Sequence, residues 1–290
     1  MYHARSYARG EPASTYFVPD RSYKEELLRL QTQDQMLTAG MGGVLPEQPD
    51  PTIFQRVLDV GCGTGGWLIE TARTYPSIPV LVGIDVSERF VKYAQAQAQA
   101  QGVGDRVEFR VMDALRRLEF PTHYFDLVNH RLGISYLRTW DWPQLLLEYQ
   151  RVARQGGIIR ITECNFPESN SVALTRLNNL FLRAQSQAGH MFVPDDSYGL
   201  INELVPLCER FGLENIQVVL HTLEYRAGTP EGKSFIEDET YLFRVLLPFL
   251  RKWSHLPDDY EEIYQQAVTE MQRSDFAATW KMLTVWGVNP

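Results

Sequence analysis

Cysteine is scarce in this chain of 290 residues: only Cys62, Cys164 and Cys208 occur, far apart and odd in number. They form no C-x-x-C pair or other zinc spacing, which predicts free thiols in a reducing compartment. The six histidines show no H-x-x-x-H spacing, so no metal is expected. Lys/Arg runs longer than a pair are also missing. With a formal charge of −8, the chain lacks the basic face that wide phosphate-backbone contact needs, and no nucleic-acid partner is expected. A run of about 18 apolar residues, as a membrane span requires, is absent. The opening MYHARSYARG has no apolar segment behind its arginines, which argues against a secretory signal. Fixed-period repeats are absent too. A cytoplasmic protein without a membrane partner is the expectation.

What is present is a regular alternation. An apolar fraction of 44% suffices for a buried core. Tyr23, Leu27, Leu30 and Leu37 recur at helical spacing, predicting a helix over 22–37 that the AGMGG stretch stops. Short apolar strands are predicted at 56–61, 79–85, 106–113, 125–131 and 158–163, with helices between them at about 65–75, 87–101 and 143–153. Ser87 is placed to cap the second of these helices. Strands alternating with helices imply a doubly wound, mostly parallel α/β sheet with helices on both faces. Further on, helices are expected at about 170–187 and 197–211. A sixth strand follows at 214–225, a helical stretch at 229–278 broken at Pro248 and Pro257, and a seventh strand at 280–287.

The segment VLDVGCGTGG, 57–66, sets a strand, a glycine turn and a helix start in sequence. Gly61 and Gly63 allow a tight turn and a close ligand approach, and the helix start offers free N–H groups. Gly61, Gly63 and Gly66 also satisfy the dinucleotide fingerprint G-x-G-x-x-G, and Asp85 at the end of the second strand suits a ribose in either case. On these residues alone, a nicotinamide cofactor and a sulfonium cofactor both remain open.

Three further features carry a family resemblance. Asp59 extends the loop to D-x-G-x-G-x-G, Asp113 closes the third strand within VMDA, 111–114, and RVARQGGIIRITE, 151–163, leads into the fifth strand. Over roughly residues 55–165 the chain resembles the class I S-adenosylmethionine (SAM)-dependent methyltransferases, small-molecule type, nearest those of ubiquinone and menaquinone biosynthesis. Gln155 stands where that pattern has proline. The resemblance implies a seven-stranded Rossmann-like sheet with helical cap insertions, SAM as cofactor, and methyl transfer to a small-molecule acceptor. It also implies that Gly61, Cys62 and Gly63, with the motif acid Asp59, serve the methionine end. Asp85 and Val86 would meet ribose and adenine, Asp113 and Ala114 the adenine edge, and Asn129 the methionine portion through its backbone. A SAM-binding module without catalysis shares every one of these motifs, whereas an oxidoreductase would want a Tyr-x-x-x-Lys pair, which is missing.

Methyl transfer from a sulfonium is an in-line displacement, so alignment and water exclusion matter most and a base helps only where a proton must leave. Residues beyond the carboxyl ends of the strands are therefore of interest. His130, whose usual pKa suits neutral proton transfer, is the first base candidate, Glu163 the second and Tyr136 the third. Arg131 is expected to hold an anionic substrate or pair with Glu163. Substrate contacts are expected from Tyr16, His190 and Phe192, with Phe17, Phe181, Met191, Tyr241 and Trp253 adding apolar surface. The expected organisation is an N-terminal arm and helix (1–50), a cofactor core (51–165), helices and a sixth strand (166–228), a helical cap (229–278) and a last strand (279–290). The cap helices could equally form a homodimer interface.

Overall fold

The computed structural model describes Tyr16, Val18 and residues 24–290. The α/β core begins with β1 (Arg56–Val60), followed by α2 (Gly66–Thr74), β2 (Val80–Asp85), α3 (Glu88–Ala100), β3 (Val107–Val111), β4 (Phe125–Arg131), α4 (Trp142–Val152) and β5 (Ala153–Cys164). These five strands run parallel in the spatial order β3-β2-β1-β4-β5. The inner strands are buried on both faces, and every β4 residue but Arg131 is buried, whereas β3 at the end of the order alternates in burial. Ser87 caps α3 as the sequence predicts, its Oγ accepting from the Phe90 N–H.

The second half completes the sheet antiparallel. The strands β7 (Glu214–Arg226) and β8 (Ala277–Val288) pair with each other, and β8 also pairs with β5. An eighth strand, β6 (Glu168–Ser169), adds to the seven expected; it is two residues long and pairs with Thr279 and Ala278 of β8. The order of the long strands is β3-β2-β1-β4-β5-β8-β7.

Helix α1 (Lys24–Gly40) precedes the core and runs on into the glycine stretch expected to end it. Two helices, α5 (Val172–Ala188) and α6 (Gly199–Arg210), lie between β6 and β7. The segment between β7 and β8 folds as α7 (Pro230–Val245), α8 (Leu247–Trp253) and α9 (Tyr260–Met271). The helices α1 and α7 pack on each other, as do α5 and α9. Among the described residues no helix is long and apolar enough to cross a membrane.

The chain leaves β1 for β2 on one side and later returns to β4 on the other. The carboxyl end of β1 is therefore the topological switch point, where open α/β sheets leave a crevice.

Candidate active site

A cavity opens at that switch point and extends under α1, α5 and α7. Its core end is lined by Asp59, Gly61, Cys62, Gly63, Asp85, Val86, Asp113 and Ala114, so the structure gathers these sequence-predicted cofactor residues around one space. The turn after β1 holds Gly61 at φ 69° and Gly65 at φ 79°, in the left-handed region. A Cβ on Gly61 would come within 2.7 Å of the Tyr136 hydroxyl, and one on Gly65 within 2.6 Å of the Phe109 ring. The first glycine thus lets Tyr136 approach the turn; the second lets α2 sit close on the sheet. Gly63 faces open space.

Asp85 is fixed from two sides. One carboxylate oxygen accepts from the Gly63 N–H at 3.1 Å and the other from the Ser87 N–H at 2.8 Å. Asp113 lies two residues past β3 rather than closing it, and accepts from the Leu115 N–H at 2.9 Å. Burial, then Asp85 and Asp59, push the Cys62 thiol well above the usual range, which disfavours the thiolate.

Asn129 does not line the cavity. Its amide bridges Asp59, which accepts at 2.7 Å, and Arg160, which donates at 2.8 Å. Arg160 is in turn paired with Glu47 at 2.6 Å, both side chains essentially without solvent. Sequence reasoning missed this buried Glu47–Arg160–Asn129–Asp59 chain; its signal was a lone charge in the middle of an apolar strand. Burial raises Asp59 to about 7, against the lowering effect of Arg131, Asn129 and Arg160.

The base candidates are corrected by their surroundings. His130 is fully buried and outside the cavity lining, stacked on Trp142 with ring centroids 5.6 Å apart. Its Nδ1 bonds the Tyr149 hydroxyl at 2.9 Å, and burial lowers its pKa to about 3. The imidazole is therefore neutral and a weak base. Glu163 is also fully buried and turned away, accepting from the Gly133 and Ile134 N–H groups at 2.6 and 3.2 Å; burial lifts it to about 8 despite those bonds. Tyr136 does line the cavity, but burial, with Asp85 and Glu163 adding to it, holds it as a neutral phenol. Its hydroxyl sits 3.4 Å from His130 Nε2.

The substrate candidates divide. Tyr16 and Arg131 line the cavity, but Arg131 pairs with Asp34 of α1 and donates to Thr38 at 3.1 Å, so Glu163 is not its partner and its charge is already matched. His190 points its Nδ1 at the Leu137 carbonyl, 2.7 Å away, and neither it nor Phe192 lines the cavity. Of the apolar set, Phe181 lines it and Met191, Tyr241 and Trp253 do not; Phe17 lies outside the described residues. The structure adds Arg29, Gln33 and Asp34 from α1, Asn165 and Phe166 after β5, Asn178 and Gln185 from α5, and Glu239 and Leu242 from α7.

Residues 57–157 match a family described as a methyltransferase domain. The demethylmenaquinone methyltransferase of Lactiplantibacillus plantarum is 36% identical over 190 residues, covering 61% of this chain and 79% of that relative. The chain belongs to the SAM-dependent methyltransferase family. Ajmaline N-methyltransferase of Rauvolfia serpentina is 38% identical over 116 residues, 40% of this chain and 38% of the relative. Among solved structures, a Haemonchus contortus N-methyltransferase with phosphomonomethylethanolamine and S-adenosylhomocysteine shares the fold. Its TM-score is 0.57 at 19% identity, over 94% of this chain and 60% of that one. As a family member this chain is an enzyme that takes SAM as its methyl donor.

Proposed function

We propose that the chain transfers the methyl group of SAM to a small acceptor with a largely apolar body, bound where α1, α5 and α7 roof the cavity. One observation carries this reading. A single cavity joins the glycine turn and the carboxylates of Asp85 and Asp113 to a chamber walled by Leu30, Leu37, Phe166, Phe181, Leu242 and Trp280. Donor and acceptor can then meet without crossing water.

In this reading Asp85 accepts the ribose hydroxyls while the Gly63 and Ser87 N–H groups hold its carboxylate still. Asp113 and Ala114 bound the adenine edge, and the turn 61–63 presents backbone to the methionine end. The sulfonium supplies the electrophilic carbon; the chain aligns the acceptor and excludes solvent. Tyr136, over Gly61 and kept protonated, is a hydrogen-bond donor beside the transfer path rather than a base. The division into an N-terminal arm and helix over 1–50, a cofactor core over 51–165, helices and a strand over 166–228 that complete core and lid, a helical cap over 229–278 and a last strand over 279–290 belongs to the same reading. So does a cytoplasmic location, supported by three unpaired thiols.

The test is labelled methyl transfer from SAM into a metabolite extract. Turnover by the natural chain should appear and should drop at least tenfold at limiting SAM in Asp85→Ala, since hydrogen bonds to a charged group are worth about 1.5–3 kcal/mol. Equal turnover by both proteins would remove Asp85 from cofactor binding.

A further inference from the structure

The cap end of the cavity holds three buried polar atoms that meet no hydrogen-bond partner: Asn165 Nδ2, Gln185 Oε1 and Glu239 Oε2. Their side chains belong to residues no more than 2% exposed. Most buried side-chain polar atoms in native proteins pair with protein or ordered water, so three without a protein partner in one cavity lining form a polar patch open to a ligand. The surrounding bonds leave these atoms free. Asn165 Oδ1 already accepts from the Lys281 N–H at 3.0 Å, which commits its oxygen and leaves the amide N–H group over. Asp238, next to Glu239 on α7, has both oxygens occupied, by Arg29 at 3.1 Å and Gln33 at 3.0 Å.

Charge narrows the ligand further. The only Lys or Arg side chains in the described lining are Arg29 and Arg131. Arg29 is matched by Glu26 at 2.8 Å and by Asp238, and Arg131 by Asp34. An anionic ligand would find no cation here. Glu26 and Asp238 already match Arg29, and Glu239 stands beside them as an acid whose proton an approaching cation would displace. Once Glu239 is ionised, its Oε2 and Gln185 Oε1 are two acceptors, and one ammonium has N–H groups for both where a hydroxyl has a single proton to give.

We propose that the cap end binds the acceptor through a protonated amine, whose N–H groups go to Glu239 and Gln185, while an oxygen of the same molecule accepts from Asn165. This deepens the methyltransferase reading and rests on it only in naming the ligand as the acceptor. A protonated nitrogen has no lone pair, so the anchored amine is a handle and the methyl goes to a different atom. Phosphorylated and carboxylated acceptors are disfavoured at this end.

The test uses the full chain saturated with S-adenosylhomocysteine and titrated calorimetrically at pH 7 with n-octylamine, 1-octanol or octanoate. Octylamine should bind at least tenfold tighter than the other two. Glu239→Gln should weaken octylamine at least tenfold, and Gln185→Leu at least threefold, with S-adenosylhomocysteine affinity unchanged within twofold in both. Binding should also release close to one proton, read from the heat in buffers of different ionisation enthalpy. Burial and Asp238 hold Glu239 up at about 8 against Arg29, and an ammonium would ionise it. Cys164 on β5 and Tyr225 on β7 also feel its charge, and Glu26 on α1 acts on the neighbouring Asp238. Octanol or octanoate binding as well as octylamine, no octylamine binding, or an unaffected Glu239→Gln would overturn the proposal. Failure of S-adenosylhomocysteine itself to bind would instead strike the cofactor reading.

Discussion

Glu163 illustrates at the residue scale how burial overrides a side chain's ordinary chemistry. As the last residue before the end of β5 it stands at the tip of a strand, where ligands gather, yet it faces the Gly133–Ile134 backbone and stays protonated up to about pH 8 instead of 4.5. The folded state therefore binds one more proton than the unfolded chain between those values. The stability this provides is complete below pH 4.5 and is lost as pH rises through 8. Asp59 and Glu239, raised to about 7 and about 8, act in the same direction. His130, lowered to about 3, acts oppositely and only below its ordinary value of 6.5. Urea unfolding free energies should thus fall between pH 7 and 8. Glu163→Gln should make that decline shallower by about 1 kcal/mol per pH unit. An equally steep decline in the variant would show that Glu163 is ionised in the fold. From sequence, strand-tip position made His130 and Glu163 attractive as bases. Position along a strand does not reveal which way a buried ring or carboxyl turns, and both turn toward the protein.

At the scale of elements, α1 is the piece whose role the sequence understated. Its helical spacing was legible, but the mean composition of KEELLRLQTQDQMLTAG does not tell which polar residues go inside. Glu26 and Arg29 do, with 0% and 2% exposure, because Asp238 of α7 waits 3.1 Å from the guanidinium. Removing one member of a buried ion cluster leaves the others charged and unsolvated. Arg29→Ala should cost about 3–5 kcal/mol in urea unfolding, with proteolysis quickened within 24–45 as α1 leaves α7. A loss below about 1 kcal/mol would mean that water reaches the cluster. The core elements were read more easily. β4 matched residue for residue and β1, β2 and α3 to within a residue or two, since an apolar strand between glycine or polar breaks has few alternatives. β6 escaped notice because a two-residue strand has no period; it exists only where β8 passes beside it.

For the whole molecule, the cavity lies where the sheet's switch point meets helices from both halves of the chain, so filling it ties residues near 30, 60, 85, 113, 165 and 239 together. Ligand that binds only the folded state adds stability by mass action, about 2.7 kcal/mol at a hundredfold excess over Kd. In a chain of 290 residues this should raise the melting temperature by several degrees with S-adenosylhomocysteine, whereas NADH should give no shift. A shift with NADH and none with S-adenosylhomocysteine would reverse the choice of cofactor.

The sequence by itself determined the parallel core, the glycine turn and the acids at 85 and 113, because these depend on backbone conformation and local spacing that neighbouring residues set. Only the tertiary structure decided that Arg131 is paired with Asp34, that Asn129 and Glu163 face inward, and that Asn165, Gln185 and Glu239 share one chamber. Those outcomes depend on side chains from distant segments meeting in a space with little water, where each polar atom is either matched by a neighbour or left open toward a ligand.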